Sequence, residues 1–111
     1  MTQPDWVKEF PASIEVCDRD GILLDLNDHA AAHVASRDMI GSSLLPCHGE
    51  ASRAKLAEML QSEQANIYTI EKAGQRKLIY QAPWYKDGEY AGFVELSLPI
   101  PWDMPHFVRA G

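Results

Sequence analysis

Two runs of aromatic and aliphatic residues, 77–85 and 90–98, flank the pair Asp87-Gly88 and dominate the hydrophobic pattern of the chain. Asp-Gly favours a two-residue turn in which both central residues take positive φ, so the runs are predicted to pair as an antiparallel hairpin. In the register set by that turn, Lys86 faces Glu89, Tyr85 faces Tyr90, Ala82 faces Phe93, Tyr80 faces Glu95 and Leu78 faces Ser97. Alternation then puts Leu78, Tyr80, Ala82, Trp84, Phe93, Glu95 and Ser97 on one face. Ile79, Gln81, Tyr85, Val94, Leu96 and Leu98 take the other. Neither face is polar, so both are expected to be covered. Glu95 breaks the apolar run, and a carboxyl there must be solvated, hydrogen-bonded or protonated.

The same pattern reading predicts the remaining elements. Trp6, Val7 and Phe10 recur at helical spacing before Pro11, which marks a short N-terminal helix or arm able to cover a sheet face. Residues 13–18 and 22–27 alternate around Asp18-Arg19-Asp20-Gly21 as a second hairpin. Asn27 and Asp28 cap an Ala-rich helix over 28–35, a further helical turn covers 36–40, and Gly41 ends it. After an irregular stretch around Pro46, residues 50–61 carry Leu56, Met59 and Leu60 at helical spacing. A strand over 65–72 closes on Ala73-Gly74 and leads into the central hairpin, behind which Pro99, Pro101 and Pro105 end regular structure. The order is that of an α+β domain with a five-stranded antiparallel sheet and short helices grouped in the middle of the chain. We assign residues 1–12 to the arm, 13–100 to the domain and 101–111 to a tail.

A chain of 111 residues fits one domain large enough to bury a core. Sixteen acidic against ten scattered basic residues, a formal charge of −6, argue against nucleic acid, which needs a clustered basic surface. No run approaches the length of a membrane span and no export signal opens the chain, so a cytoplasmic protein with reduced Cys17 and Cys47 is expected.

The stretch 18–27, the segment Met39-Ile40-Gly41-Ser42-Ser43-Leu44 ahead of the longer helix, and 85–92 followed by the final strand resemble, in this order and spacing, the PAS domain family. The resemblance spans about residues 13–100. It implies a sheet in which the last strand lies between the first strand and the last strand's hairpin partner, with helices on one face around a small cavity. It also implies a sensor or dimerisation module, not an enzyme. The flavin-binding branch of the family places a Gln near the position of Glu95 and carries an Asn-Cys-Arg-Phe-Leu motif that is missing here, which argues against a covalent flavin adduct. Pro83 fits the layout if it lies beyond the end of the neighbouring 65–72 strand.

The candidate ligand-binding residues are Glu95, Tyr80, Phe93, His48 and Trp84, with core packing as the plainer role for Phe93 and Trp84. His48 would be the axial ligand of a haem, though family members that bind haem usually carry that ligand within the helix and not ahead of it, and a single candidate is thin support. His29 and His33 share a helix face, but no third metal ligand is placed by the sequence. No nucleophile, acid and base stand together. The sheet surface of Ile79, Val94, Leu96 and Leu98, with Trp6 and Phe10, is the expected interface to a second copy. A separate effector protein would carry the output. The competing reading is a constitutive dimerisation module with a filled core and no ligand.

Overall fold

The structure is a computed structural model and describes residues 3–44 and 50–111, without the side chains of Glu50 and Ser52. His48 and Cys47 lie outside the described residues. Five strands, β1 (Ser13–Asp18), β2 (Leu23–Leu26), β3 (Asn66–Lys72), β4 (Gln75–Lys86) and β5 (Glu89–Ile100), form one antiparallel sheet in the order β2-β1-β5-β4-β3. Among the described residues three α-helices accompany them: α1 (Asp5–Lys8), α2 (Asp28–His33) and α3 (Glu50–Ser62), with a 3₁₀ turn at Arg37–Met39. The last strand does lie between the first and its hairpin partner. Among the described residues no helix is long and apolar enough to cross a membrane.

Local chemistry sets the elements. Asp18 Oδ1 accepts from the amides of Asp20 and Ile22, which closes the β1–β2 turn, and Gly21 supplies positive φ within it. Asn27 is fully buried and fully used. Its Oδ1 caps α2 through the Ala30 amide at 3.0 Å and takes the Ile14 amide of β1 at 3.1 Å. Its Nδ2 donates to the carbonyls of Val7 and Ala12, so one side chain ties the N-terminal arm, β1 and α2 together. The arm therefore sits beside α2, where Lys8 pairs with Asp28, and Trp6 remains 74% exposed.

The β4–β5 register differs from the one read from the sequence. Asp87 and Gly88 take positive φ as expected, and Lys86–Glu89 and Tyr85–Tyr90 pair as expected. Between Tyr85 and Trp84 the ladder then slips by one, so that Trp84 faces Gly92, Ala82 faces Val94, Gln81 faces Glu95 and Tyr80 faces Leu96. The physical cause is a bulge at Ala91-Gly92. Gly92 has φ 143°, and a Cβ built there would lie 2.0 Å from the Cys17 carbonyl oxygen. Trp84 reaches across this bare backbone from β4 to β1 and donates its indole N–H to that same oxygen at 2.9 Å.

The slip exchanges faces. Ile79, expected outside, is buried against the helices, and Tyr80 and Trp84, expected beside Glu95, share the opposite face with Val94, Leu96 and Leu98. Pro83 lies beyond Gln81, the last β4 residue paired with β3, so its missing N–H interrupts no β3 ladder. The core is formed by Cys17, Leu23, Leu26, Ala30, Leu44, Met59 and Phe93. It lies under one half of the inner face; the other half is polar.

Replacing Gly92 by Ala must push β1 and β5 apart or abolish the bulge. We expect a loss of at least about 3 kcal/mol in urea denaturation, at the upper end of overpacking costs. A near-neutral change would mean that the bulge does not hold the register.

Candidate functional site

A row of polar side chains crosses four strands of the inner face. Asn66 on β3 faces Gln81 on β4, which faces Glu95 on β5, which faces Glu15 on β1. Asn66 Nδ2 donates to Gln81 Oε1 at 2.9 Å, and Gln81 Nε2 donates to Glu95 Oε1 at 2.6 Å. The donors all run toward Glu95. That direction makes Glu95 the acceptor of the row and leaves Glu15 to meet it from the other side.

Two ionised carboxylates cannot share that place. As a carboxylate, Glu15 would leave its buried Oε2 with no donor among the described residues. As a carboxylic acid it hydrogen-bonds Glu95. Burial, the hydrogen bond to Glu95 and the charge of Glu95, in that order, push the Glu15 carboxyl up to about 8. The phenol of Tyr68, further along the inner face, is raised by burial and by the same Glu95 charge. Burial also raises the Cys17 thiol, which keeps it protonated and unreactive.

The row lines two spaces beneath α3. A groove of about 380 Å³ between Lys55, Leu56 and Met59 on the helix and Asn66, Tyr68 and Gln81 on the sheet opens to solvent and ends on Glu95. Past Glu95 the space narrows to about 40 Å³ among Glu15, Cys17, Leu44, Leu56, Met59 and Phe93. The groove is of ligand size, whereas the inner space holds little more than one water.

No family model matches the sequence, and the comparison with curated proteins finds no match. Solved structures do match. The PAS domain of BvgS from Bordetella pertussis superposes with a TM-score of 0.63 at 20% identity, over 86% of this chain and 81% of that one. A sensory box sensor histidine kinase from Vibrio cholerae gives 0.65 at 11% identity, over 89% of each chain. The PAS domain of an HTR-like protein from Haloarcula marismortui gives 0.61 at 16% identity, over 86% of each. The chain has the PAS fold.

Within this PAS fold the expected site residues separate into two groups. Glu95 and Phe93 face the helices, Phe93 in the core and Glu95 at the boundary between groove and inner space. Tyr80 and Trp84 are turned away from them, and His48 is among the residues not described. Sequence reasoning missed Glu15, Gln81, Asn66 and Tyr68. One signal could have found Gln81: an isolated Gly inside a strand marks a bulge, and a bulge at Gly92 moves Gln81 onto the face of Glu95. The His29 and His33 rings stack at 4.2 Å, and His29 Nδ1 is bonded to Ser13 Oγ at 2.7 Å. Among the described residues no metal-ligating group of three or more forms around them.

The Glu15 carboxyl gives stability a definite pH dependence. Its folded value of about 8 exceeds the ordinary 4.5, so the folded chain holds a proton that the unfolded chain releases between those values. The contribution is fully present below pH 4.5 and is lost as pH rises toward 8. Urea denaturation across this window should show Glu15→Gln gaining on the native sequence as pH rises, to a limit on the order of 5 kcal/mol at about 1.4 kcal/mol per unit. A pH-independent difference would place the proton elsewhere.

Proposed function

We propose that this PAS-fold chain is a sensory module in which a small ligand occupies the groove under α3 and alters how the sheet meets a partner or a dimer mate. The observation that carries the reading is the groove itself. It is of ligand size, apolar on its helix side at Leu56 and Met59, and hydrogen-bonding on its sheet side at Asn66, Gln81 and Glu95. A molecule with an apolar body and a polar edge suits that division.

The transmission route follows from the strand. On β5, Glu95 faces the groove while its neighbours Val94 and Leu96 face outward, so a shift of β5 moves both surfaces together. The outer surface of Val94, Leu96 and Leu98 gains Tyr80 and Trp84 and loses Ile79 relative to the expected interface. A separate effector would read this surface, with Trp6 and Phe10 of the arm exposed as further contacts. Haem has no described axial ligand on the groove, and we assign no cofactor. The role is binding and relay, without catalysis.

One observation favours the competing reading of a constitutive interaction module. The enclosed space is only about 40 Å³, close to a filled core. Native mass spectrometry with an absorption spectrum separates the two. In the sensory reading the purified chain carries a small molecule, and occupancy falls about tenfold or more in Tyr68→Ala, which removes a 42% exposed groove side chain that the fold does not need. Undiminished occupancy in that variant would reject the groove. An empty dimer that persists on adding a metabolite extract supports the interaction module.

A further inference from the structure

We propose that Glu15 and Glu95 form a proton-operated latch beneath α3. With the proton shared between them the helix lies closed on the sheet; without it the two carboxylates repel, draw water in through the groove and release the helix. This goes beyond ligand binding in the groove and requires no organic ligand.

The geometry carries the argument. Glu15 and Glu95 are directly opposed on adjacent central strands, a placement in which two like charges are destabilising. Among the described residues neither finds a cation to turn toward. On β4 the facing group is neutral Gln81, already committed as a donor to Glu95. On β3 the facing groups are Asn66 and the phenol of Tyr68. On β1 the next inner side chain toward the turn is the buried Cys17 thiol, with Asp18 beyond it adding negative charge; the next in the other direction is Ser13, bonded to His29. From α3 come Leu56, Met59 and Lys55. Lys55 is the sole cation among the groove-lining residues described; it stands at the groove, half-exposed, and is paired with Glu58 at 3.2 Å.

The helix above is lightly held. Only Met59 is buried among its described side chains, Leu56 and Leu60 are partly buried, and a bond from Tyr90 Oη to the Leu60 carbonyl at 2.9 Å fixes its C-terminal turn. The remaining described side chains of α3 are exposed. Two of the three apolar contacts, Leu56 and Met59, line the same small space as the carboxyl pair. Hydrating a newly ionised pair takes more than the one water that the inner space holds, so the waters must move Leu56 and Met59, the main attachment of the helix. Because the Glu15 carboxyl is held at about 8, the latch would work around neutrality and open as pH rises.

The test is amide hydrogen exchange of the full chain at pH 6 and pH 8.5, corrected for intrinsic rates, with the β4 amides as internal reference. In the native sequence, protection of α3 should fall about tenfold or more relative to β4 on going to the higher pH. Glu15→Gln, which keeps the shape and donates an N–H to Glu95, should abolish that fall. An α3 whose relative protection is the same at both pH values, or a fall that persists in Glu15→Gln, overturns the latch. Should that variant fail to fold, the carboxyl carbon-13 shift of Glu15 in the native chain decides: a midpoint near neutrality, moving together with the α3 amide shifts, supports it, and a midpoint in the ordinary carboxyl range overturns it. Loss of groove occupancy in Tyr68→Ala leaves this titration unmoved, so the two readings fail separately.

Discussion

The bare backbone of Gly92 is the constraint on which the inner face depends. Three strands meet there: β5 carries the glycine, β1 brings the Cys17 carbonyl to where a Cβ would be, and β4 sends the Trp84 indole across to the same oxygen. The bulge that this contact enforces shifts every later pair of the central hairpin by one residue. Because side chains alternate with period two, that shift decides which residues of β4 see the helices. With it, Gln81 stands between Asn66 and Glu95 and a polar row forms. In the unshifted register Tyr80 would take that place and Gln81 would face away.

The inner face is thereby divided. One half is an apolar core of Cys17, Leu23, Leu26 and Phe93 that Ala30 of α2 and Met59 of α3 complete; the other is a hydrogen-bonded row that reaches out beneath α3. The apolar half is pinned by the bonding of buried Asn27 to the arm, β1 and α2, whereas the polar half opens to solvent through the groove.

Much of this was legible in the sequence. The element order, both hairpins and the caps at Asn27 follow from turn chemistry and periodicity, because those signals are local. The strand order followed from the resemblance to PAS domains, since pairing between residues so far apart leaves no local trace. The face of each β4 residue did not follow. The Asp87-Gly88 turn specifies only the first pairs, and the contact that moves the rest is made by β1, distant in sequence. Glu15 was overlooked for a related reason. Between Ile14 and Val16 it reads as the solvent-facing member of an alternating strand, and only the neighbouring β5 shows that its side points inward to another carboxyl.

The strand order also bears on how the chain folds. β5 is made last and inserts between β1, made first, and β4, so the centre of the sheet closes only after nearly the whole chain is available. Until then β1 has β2 on one side and an open edge on the other, and Glu15 is in water, ionised at neutral pH. Insertion of β5 buries it against Glu95. Docking of the last strand is thus also a proton uptake, and the balance between docked and undocked strand depends on acidity through a single side chain near the beginning of the chain.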